Sequence, residues 1–474
     1  MINITKLIKQ RQQYTTILED NSKLYIRPID ELDEITFSGE YLIQKNGKLK
    51  KKLIQFYEHI MVYSKKKHLN ILNATLLLHL TNLNEIEGLK FIKSGNSIEL
   101  YNNASELYLY VRKYCIQREI PERYKITQTI YYGSNATFLQ LESTLYIKTF
   151  HVAKIYEKQN YTTQDQISGI KKEVQILRQL QHQHMSNLVE IFENDDLIFL
   201  IMEELKGESL QTILENQQYL NENQIKLIMK PLFECVAFLH SKNIFHRDIK
   251  PQNIKFRHSD NYLEACLIEF SLADYWNKNG RYLFTRCGSV GYVAPEVLQD
   301  KKYILNIDVY SLGIILYILI TQKHPFEDLD KGKKILRNYN GQVDYSILQC
   351  SQILLDLIKK CLEVDFTKRL SCQEILSHPF FSNRIPKLLS FKIKDQKKST
   401  QIKTQRGQNF HSVNNLAYDQ STNSLSQSKS PSSFVSYRHS LTLQKQKTVF
   451  PEISIFQPKS KYFLTKNSQY ESLN

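Results

Sequence analysis

Within the run HRDIKPQN, residues 246–253, a carboxylate, an ammonium and a carboxamide fall inside six positions: Asp248, Lys250 and Asn253. A carboxylate beside a hydroxyl can accept its proton, an ammonium can steady a transferring anionic group, and an amide oxygen is a neutral ligand for a hard cation such as Mg2+. Together these are the parts of phosphoryl transfer, where positioning and charge compensation supply most of the acceleration. The run follows a helical stretch, LIMKPLFECVAFLHSKNI, and precedes a short apolar strand-like run. A loop between a helix and a strand must therefore hold the three groups together.

HRDIKPQN resembles the catalytic loop of the eukaryotic protein kinase family, and the family's other elements follow in its order over about residues 124–381. The resemblance implies a bilobal α+β fold, with a β-rich small lobe and a helical large lobe, that uses ATP with Mg2+ or Mn2+. In FHVAKIYEKQ, Lys154 would reach the nucleotide phosphates. Its partner would be Glu173, nineteen residues on, beside the helical stripe of Ile170, Val174 and Leu177. Lys148 is the competing lysine, with a poorer spacing to Glu173. DLIFLIMEELKGESL resembles the hinge, placing Met202 behind the adenine and the backbone of Glu203 and Leu205 against it. In TRCGSVGYVAPEVL, Ser289 would contact the catalytic loop, and Glu296 would pair with Arg369. Asp308 would tie the loop down from a buried helix. Lys250 and Ser289 favour Ser/Thr over Tyr as acceptor, and the Thr-x-Cys-Gly-Ser spacing is most similar to the calmodulin-dependent kinase group. Arg247 before Asp248 suggests that a phosphate on Thr285 would find a bidentate partner there.

Two departures bear on activity. The family's Asp-Phe-Gly reads Glu269-Phe270-Ser271, which keeps a charged oxygen ligand but adds a methylene, against a Mg2+ that demands near-octahedral ligands at about 2.0 to 2.1 Å. Ser271 also gives up glycine's access to positive φ, which would restrict this segment. The phosphate-covering loop, G-x-G-x-x-G in the family, reads Tyr131-Tyr132-Gly133-Ser134-Asn135-Ala136, with Gly133 and Ser134 left to approach the phosphates. Two readings therefore stand: an active, slower Ser/Thr kinase, or a pseudokinase acting as a signalling scaffold.

The chain has 474 residues, 42% of them hydrophobic, and a net charge of +15. That charge is uneven. Residues 382–474 hold 15 Lys and Arg against 4 Asp and Glu, residues 1–121 hold 18 against 13, and the middle holds 30 against 31. A nucleic-acid enzyme would carry its basic footprint on the catalytic body, so no nucleic-acid partner is expected. The longest apolar run, Leu312 to Ile320, is less than half of the roughly 20 residues a membrane span needs. The first residues break their apolar positions with bases, unlike a secretory signal. Seven scattered cysteines without a C-x-x-C pair fit a reducing, cytoplasmic setting.

After an N-terminal extension, 1–35, residues 36–118 read as short strands with an Asn-Gly hairpin turn, closed by a helix in ASELYLYVRKYCIQ whose stripe is Leu107, Tyr110, Val111 and Tyr114. This order resembles a pleckstrin-homology domain. The resemblance implies a lipid contact at Lys45, Lys50 and Lys52, or a protein-docking role, and a peripheral membrane location. Behind the kinase region, the basic, apolar-spaced stretch 383–398 resembles a calmodulin-binding segment. The rest of 382–474, rich in Ser, Asn, Gln and Lys, is expected to be disordered.

Overall fold

The computed structural model describes residues 17–18, 22–26 and 34–382, apart from short breaks at 46–47, 65–66, 83–84, 119, 121–122, 134, 147, 217–218, 260, 278–286 and 300. The expectations for Ser134, Thr285, 383–398 and the tail lie outside the described residues, as do most of 1–35 and the side chain of Lys45.

The first sheet has eight strands in the order β1-β5-β4-β3-β2-β8-β7-β6. They are β1 (Tyr25–Ile26), β2 (Phe37–Lys45), β3 (Lys48–Tyr57), β4 (Ile60–Ser64), β5 (Lys67–Asn70), β6 (Thr75–Leu80), β7 (Ile86–Lys93) and β8 (Asn96–Tyr101). β2 and β3 pair antiparallel from Phe37↔Phe56 to Lys45↔Lys48, so the connection is the two residues Asn46-Gly47. In β3 the first six residues are exposed, and only then does the inward alternation of Ile54 and Phe56 begin. The lysine-rich start of β3 is thus exposed, although Tyr41 and Ile43 of β2, paired with Lys52 and Lys50, belong to the core. The sheet also starts before residue 36, because Tyr25 and Ile26 pair with Leu69 and His68.

Helix α1 (Ala104–Val111) caps this sheet, with Leu107 and Val111 in one cluster with Ile54, Phe56 and Phe91. It is shorter than its apolar stripe suggests. After Val111 the chain turns, so Tyr114 is buried from the turn, and the helix buries Tyr108 rather than Tyr110. The next residues join two sheets: Ile116 bridges Thr75, and Gln117 bridges Phe192.

The second sheet, order β12-β13-β11-β10-β9, is antiparallel throughout. Its strands are β9 (Tyr124–Tyr132), β10 (Thr137–Ser143), β11 (Phe150–Glu157), β12 (Leu188–Glu193) and β13 (Leu197–Glu203). Helix α2 (Gln164–Gln179) packs on it, started by a capping box of Thr163 and Gln166. It buries Ile170, Val174 and Leu177, the expected stripe, and also Glu173 and Arg178.

The remaining body is helical. The long helix α4 (Glu222–Ser241) follows the short α3 (Leu210–Glu215) and again begins with a capping box, from Asn221 and Gln224. After α5 (Pro295–Leu298), the apolar helix α6 (Ile307–Thr321) is buried on all sides through Leu319, which accounts for the long apolar run as a core element. Among the described residues no helix is long and apolar enough to cross a membrane. Two small ribbons, β14–β17 (Ile244–Phe245 with Asp274–Tyr275) and β15–β16 (Ile254–Phe256 with Ala265–Leu267), bracket the segments 246–253 and 268–273.

Candidate functional site

The loop between β14 and β15 is held from below. Asp308, in the first turn of α6 and wholly buried, accepts the backbone N–H groups of His246 and Arg247, each at 2.9 Å, and faces His240 Nε2 at 3.0 Å. Burial alone would raise its carboxyl, but these donors and the nearby imidazoles outweigh it and hold it below the usual carboxylate range. Their grip also sustains Arg247 at φ +65, a left-handed conformation that a non-glycine residue adopts only when its surroundings fix it.

Above that floor the expected catalytic residues form one network. Asp248 accepts the Ser289 hydroxyl at 2.7 Å on one carboxylate oxygen and the Asn253 amide at 2.8 Å on the other. Lys250 lies 3.0 Å from Asp248 Oδ2 and donates to Ser289 Oγ at 2.8 Å. The site therefore has a carboxylate, an ammonium and a hydroxyl-bearing loop residue locked together. Gly288 makes the approach of that loop feasible: its φ is +103, and a Cβ there would sit 2.7 Å from the Arg247 carbonyl oxygen. Glu296 and Arg369 form the expected buried pair, bidentate at 2.6 and 3.0 Å.

Across the cleft, Lys154 on β11 meets Glu173 of α2 at 2.8 Å and also contacts Glu269. Burial would lower the Lys154 ammonium, but two carboxylates outweigh it and raise its pKa well above the ordinary value, so it is charged. Glu173 is pushed up by burial, while Glu269 is held down because its contact with Lys154 outweighs its own burial. Tyr156 donates its hydroxyl to the other oxygen of Glu173. Lys148, the competitor, stands exposed in the β10–β11 loop.

Glu269 solves the problem of its extra methylene by folding onto Lys154, with its Oε1 also accepting the Ser271 N–H at 3.1 Å. The conformational demand falls elsewhere than the sequence suggests. Glu269 itself is the left-handed residue, at φ +66, whereas Ser271 is not among the positive-φ residues. Serine at 271 therefore carries no backbone penalty in this conformation. Phe270 is buried, its ring centroid 4.9 Å from that of His246. For a divalent metal, Asn253 offers a carboxamide oxygen, since its Nδ2 is the atom used on Asp248, and Glu269 offers a carboxylate. This all-oxygen donor set suits Mg2+ or Mn2+.

At the far end of the second sheet, Gly133 closes the β9–β10 turn, its N–H on the Ala136 carbonyl at 2.9 Å. A Cβ at 133 would meet that same oxygen at 2.9 Å, which explains why this glycine stands where two others are replaced. Tyr131 and Tyr132 beside it are exposed. Register places Met202 opposite Val152 and Leu200 opposite Lys154, so Met202 and Lys154 share a sheet face. Glu203 ends β13, its carbonyl accepting the Ser186 hydroxyl at 3.0 Å and its side chain contacting Arg257; Leu205 is buried. Lys50 and Lys52 are exposed on β3, far along the first hairpin.

Sequence reasoning missed Asp274. It sits 3.0 Å from Arg247 and 2.9 Å from Lys172 of α2, so one buried carboxylate ties the 246–253 loop to the helix that carries Glu173. Asp274 had no motif to announce it, only its place five residues after Glu269.

A family model, the protein kinase domain, matches residues 81–381, taking in the end of the first sheet, α1 and the rest of the described chain into the short helix Pro379–Ser382. The chain is 36% identical over 220 residues to serine/threonine-protein kinase cds1 of Schizosaccharomyces pombe, covering 44% of this chain and 47% of that protein. It is 30% identical over 278 residues to the SNF1-related protein kinase catalytic subunit alpha KIN12 of Arabidopsis thaliana, covering 56% and 53%. It is 30% identical over 251 residues to calcium/calmodulin-dependent protein kinase type 1 of Macrobrachium nipponense, covering 52% and 72%. The chain thus spans about half the length of the first two.

Proposed function

The chain belongs to the protein kinase domain family, and on that premise we propose that it is an ATP-dependent protein serine/threonine kinase. The observation that carries this reading is the joint arrangement of Asp248, Lys250 and Ser289 within 3.0 Å of one another, opposite a formed Lys154–Glu173 pair. Asp248 accepts the proton of a substrate Ser or Thr hydroxyl. Lys250 steadies the transferring phosphoryl group, and Lys154, kept charged and fixed by Glu173, binds the nucleotide phosphates. Asn253 and Glu269 would hold a divalent cation, which would supply neutralisation of phosphate charge. Met202, Glu203 and Leu205 line the adenine side, with Gly133 and Ser134 over the phosphates. Retention of Lys154, Glu173, Asp248 and Asn253 favours the enzyme over the pseudokinase reading. Autophosphorylation with Mg2+ or Mn2+ tests it, with Asp248→Asn as control: transfer that survives the substitution, or is absent from the wild type, rejects it.

For the N-terminal sheet, the order β5-β4-β3-β2-β8-β7-β6 closed by a single C-terminal helix supports the pleckstrin-homology reading of residues 36–118. Exposed Lys50 and Lys52, with Lys45 at the end of the paired strand, support an anionic-lipid contact worth roughly 1 kcal/mol per base near a charged leaflet. This would place a cytoplasmic protein peripherally at membranes. Sedimentation with phosphoinositide liposomes checks it, and equal pelleting of a Lys50/Lys52 double alanine variant rejects the site. Calmodulin capture at 383–398 and phosphorylation of Thr285 remain proposals from the sequence, the first checked by a Ca2+-dependent pull-down and the second by Thr285→Ala.

A further inference from the structure

Helix α2 is gripped from its outer side by residues that precede the second sheet. Arg178, five residues after Glu173, stands about 7.5 Å further along the helix and about 140° around it, so Glu173 faces Lys154 while Arg178 faces away. Its guanidinium is buried, donating to Asn73 Oδ1 at 2.5 Å and to the Lys113 carbonyl at 2.8 Å. Asn73 lies in the turn that joins β5 to β6 of the first sheet, and Lys113 in the turn after α1.

Two more buried charges of the second sheet meet the same region. Glu190 on β12 accepts the Tyr108 hydroxyl of α1 at 2.5 Å and contacts Gln117. Glu193 accepts the N–H groups of Ile17 and Leu18 at 2.5 and 3.3 Å, and pairs with Lys158 at 2.9 Å. A buried charge that loses its hydrogen-bonding partners is strongly destabilising. The N-terminal region therefore supplies partners that Arg178, Glu190 and Glu193 need.

We infer that Arg178, with Asn73 and the Lys113 carbonyl, is a positioning clamp that holds α2 so that Glu173 stays on Lys154. The N-terminal sheet is then a working part of the nucleotide site. This rests on the kinase reading for its kinetic readout, and on helix protection for an independent one.

Asn73→Gly is a mild test, because Asn73 has φ +59, which glycine adopts without strain, while the side-chain acceptor of Arg178 is removed. Arg178→Gln and Arg178→Lys form a graded pair on the other partner. In full-length protein, the expected result is a rise in KM for ATP of about five- to tenfold for Asn73→Gly and more for Arg178→Gln, with partial recovery in Arg178→Lys. The peptide KM stays unchanged. Amide exchange across 167–179 speeds up while that of 222–241 does not. If KM for ATP and exchange in 167–179 match wild type in Asn73→Gly and Arg178→Gln, the clamp is overturned. A wild type without Asp248-dependent transfer rejects the kinase reading instead; ATP-analogue affinity and exchange then still decide the clamp.

Discussion

Below the cleft, Asp308, Asp248 with its partners, and the Glu296–Arg369 pair use the residue types the family resemblance calls for. Against these stand the departures from the family pattern: the β9–β10 loop keeps one glycine, and glutamate stands at 269, beside the lower loop but with its carboxylate on Lys154. The two sets differ in what their residues must supply. Asp308, Glu296 and Arg369 are buried charges, each satisfied by two or more donors or acceptors at 2.6 to 3.3 Å, while Asp248 is half-buried within its own network. Removing one member leaves the others unpaired in a poor solvent, so substitution is expensive. The departing residues supply backbone shape and reach, which alternative residues can meet: Gly133 alone makes the closest turn, and Glu269 takes up its extra length by folding onto Lys154.

The sharpest way to break this contrast is to attack the lower half. Asp248→Asn is expected to cut transfer at least a hundredfold, about 3 kcal/mol in the barrier, read as initial rate on a peptide. Next is stability: Arg369→Ala leaves Glu296 buried and unpaired, and is expected to cost about 3 to 5 kcal/mol in denaturant unfolding. Asp308 adds a pH signature. Its folded pKa is depressed, so its stabilisation is complete above the usual carboxylate range and is lost as acid protonates it below that range. Asp308→Asn should therefore flatten the acid side of the stability curve. Among the departures, Glu269→Asp is expected to change the rate severalfold and to shift the ratio of Mg2+- to Mn2+-supported activity, since it alters ligand reach. Ser271→Gly should be the smallest effect, within about twofold, because Ser271 is not left-handed here. A larger change would mean that the segment works in a second conformation.

Much of the lower half was legible because its residues lie in contiguous motifs, as in HRDIKPQN, where type and spacing speak together. The small-lobe helix was legible from its apolar stripe and its spacing to Lys154. Less legible were charges whose partners lie far off in sequence. Asp274 reads as a surface carboxylate until Lys172, 102 residues earlier, is brought beside it. Arg178 reads as a solvated helix end until Asn73 arrives across 105 residues. The end of α1 was also hidden, because the apolar spacing runs on to Tyr114 while the backbone has already turned after Val111. Periodicity reports which side chains are buried, and here it could not tell a helix face from a turn that buries the next ring.

The short stretch Ile116–Gln117 has a consequence for how the molecule comes apart. Ile116 exchanges backbone hydrogen bonds with Ala74 and Leu76, and Gln117 with Ile191 and Glu193, all at 2.9 Å. Two adjacent residues are thus extra strand partners for two different sheets. Neither sheet can melt without stripping hydrogen bonds from a segment that the other is holding, so the two should denature in one cooperative step rather than in sequence. Heat would then see a single object where the order of motifs along the chain suggests two.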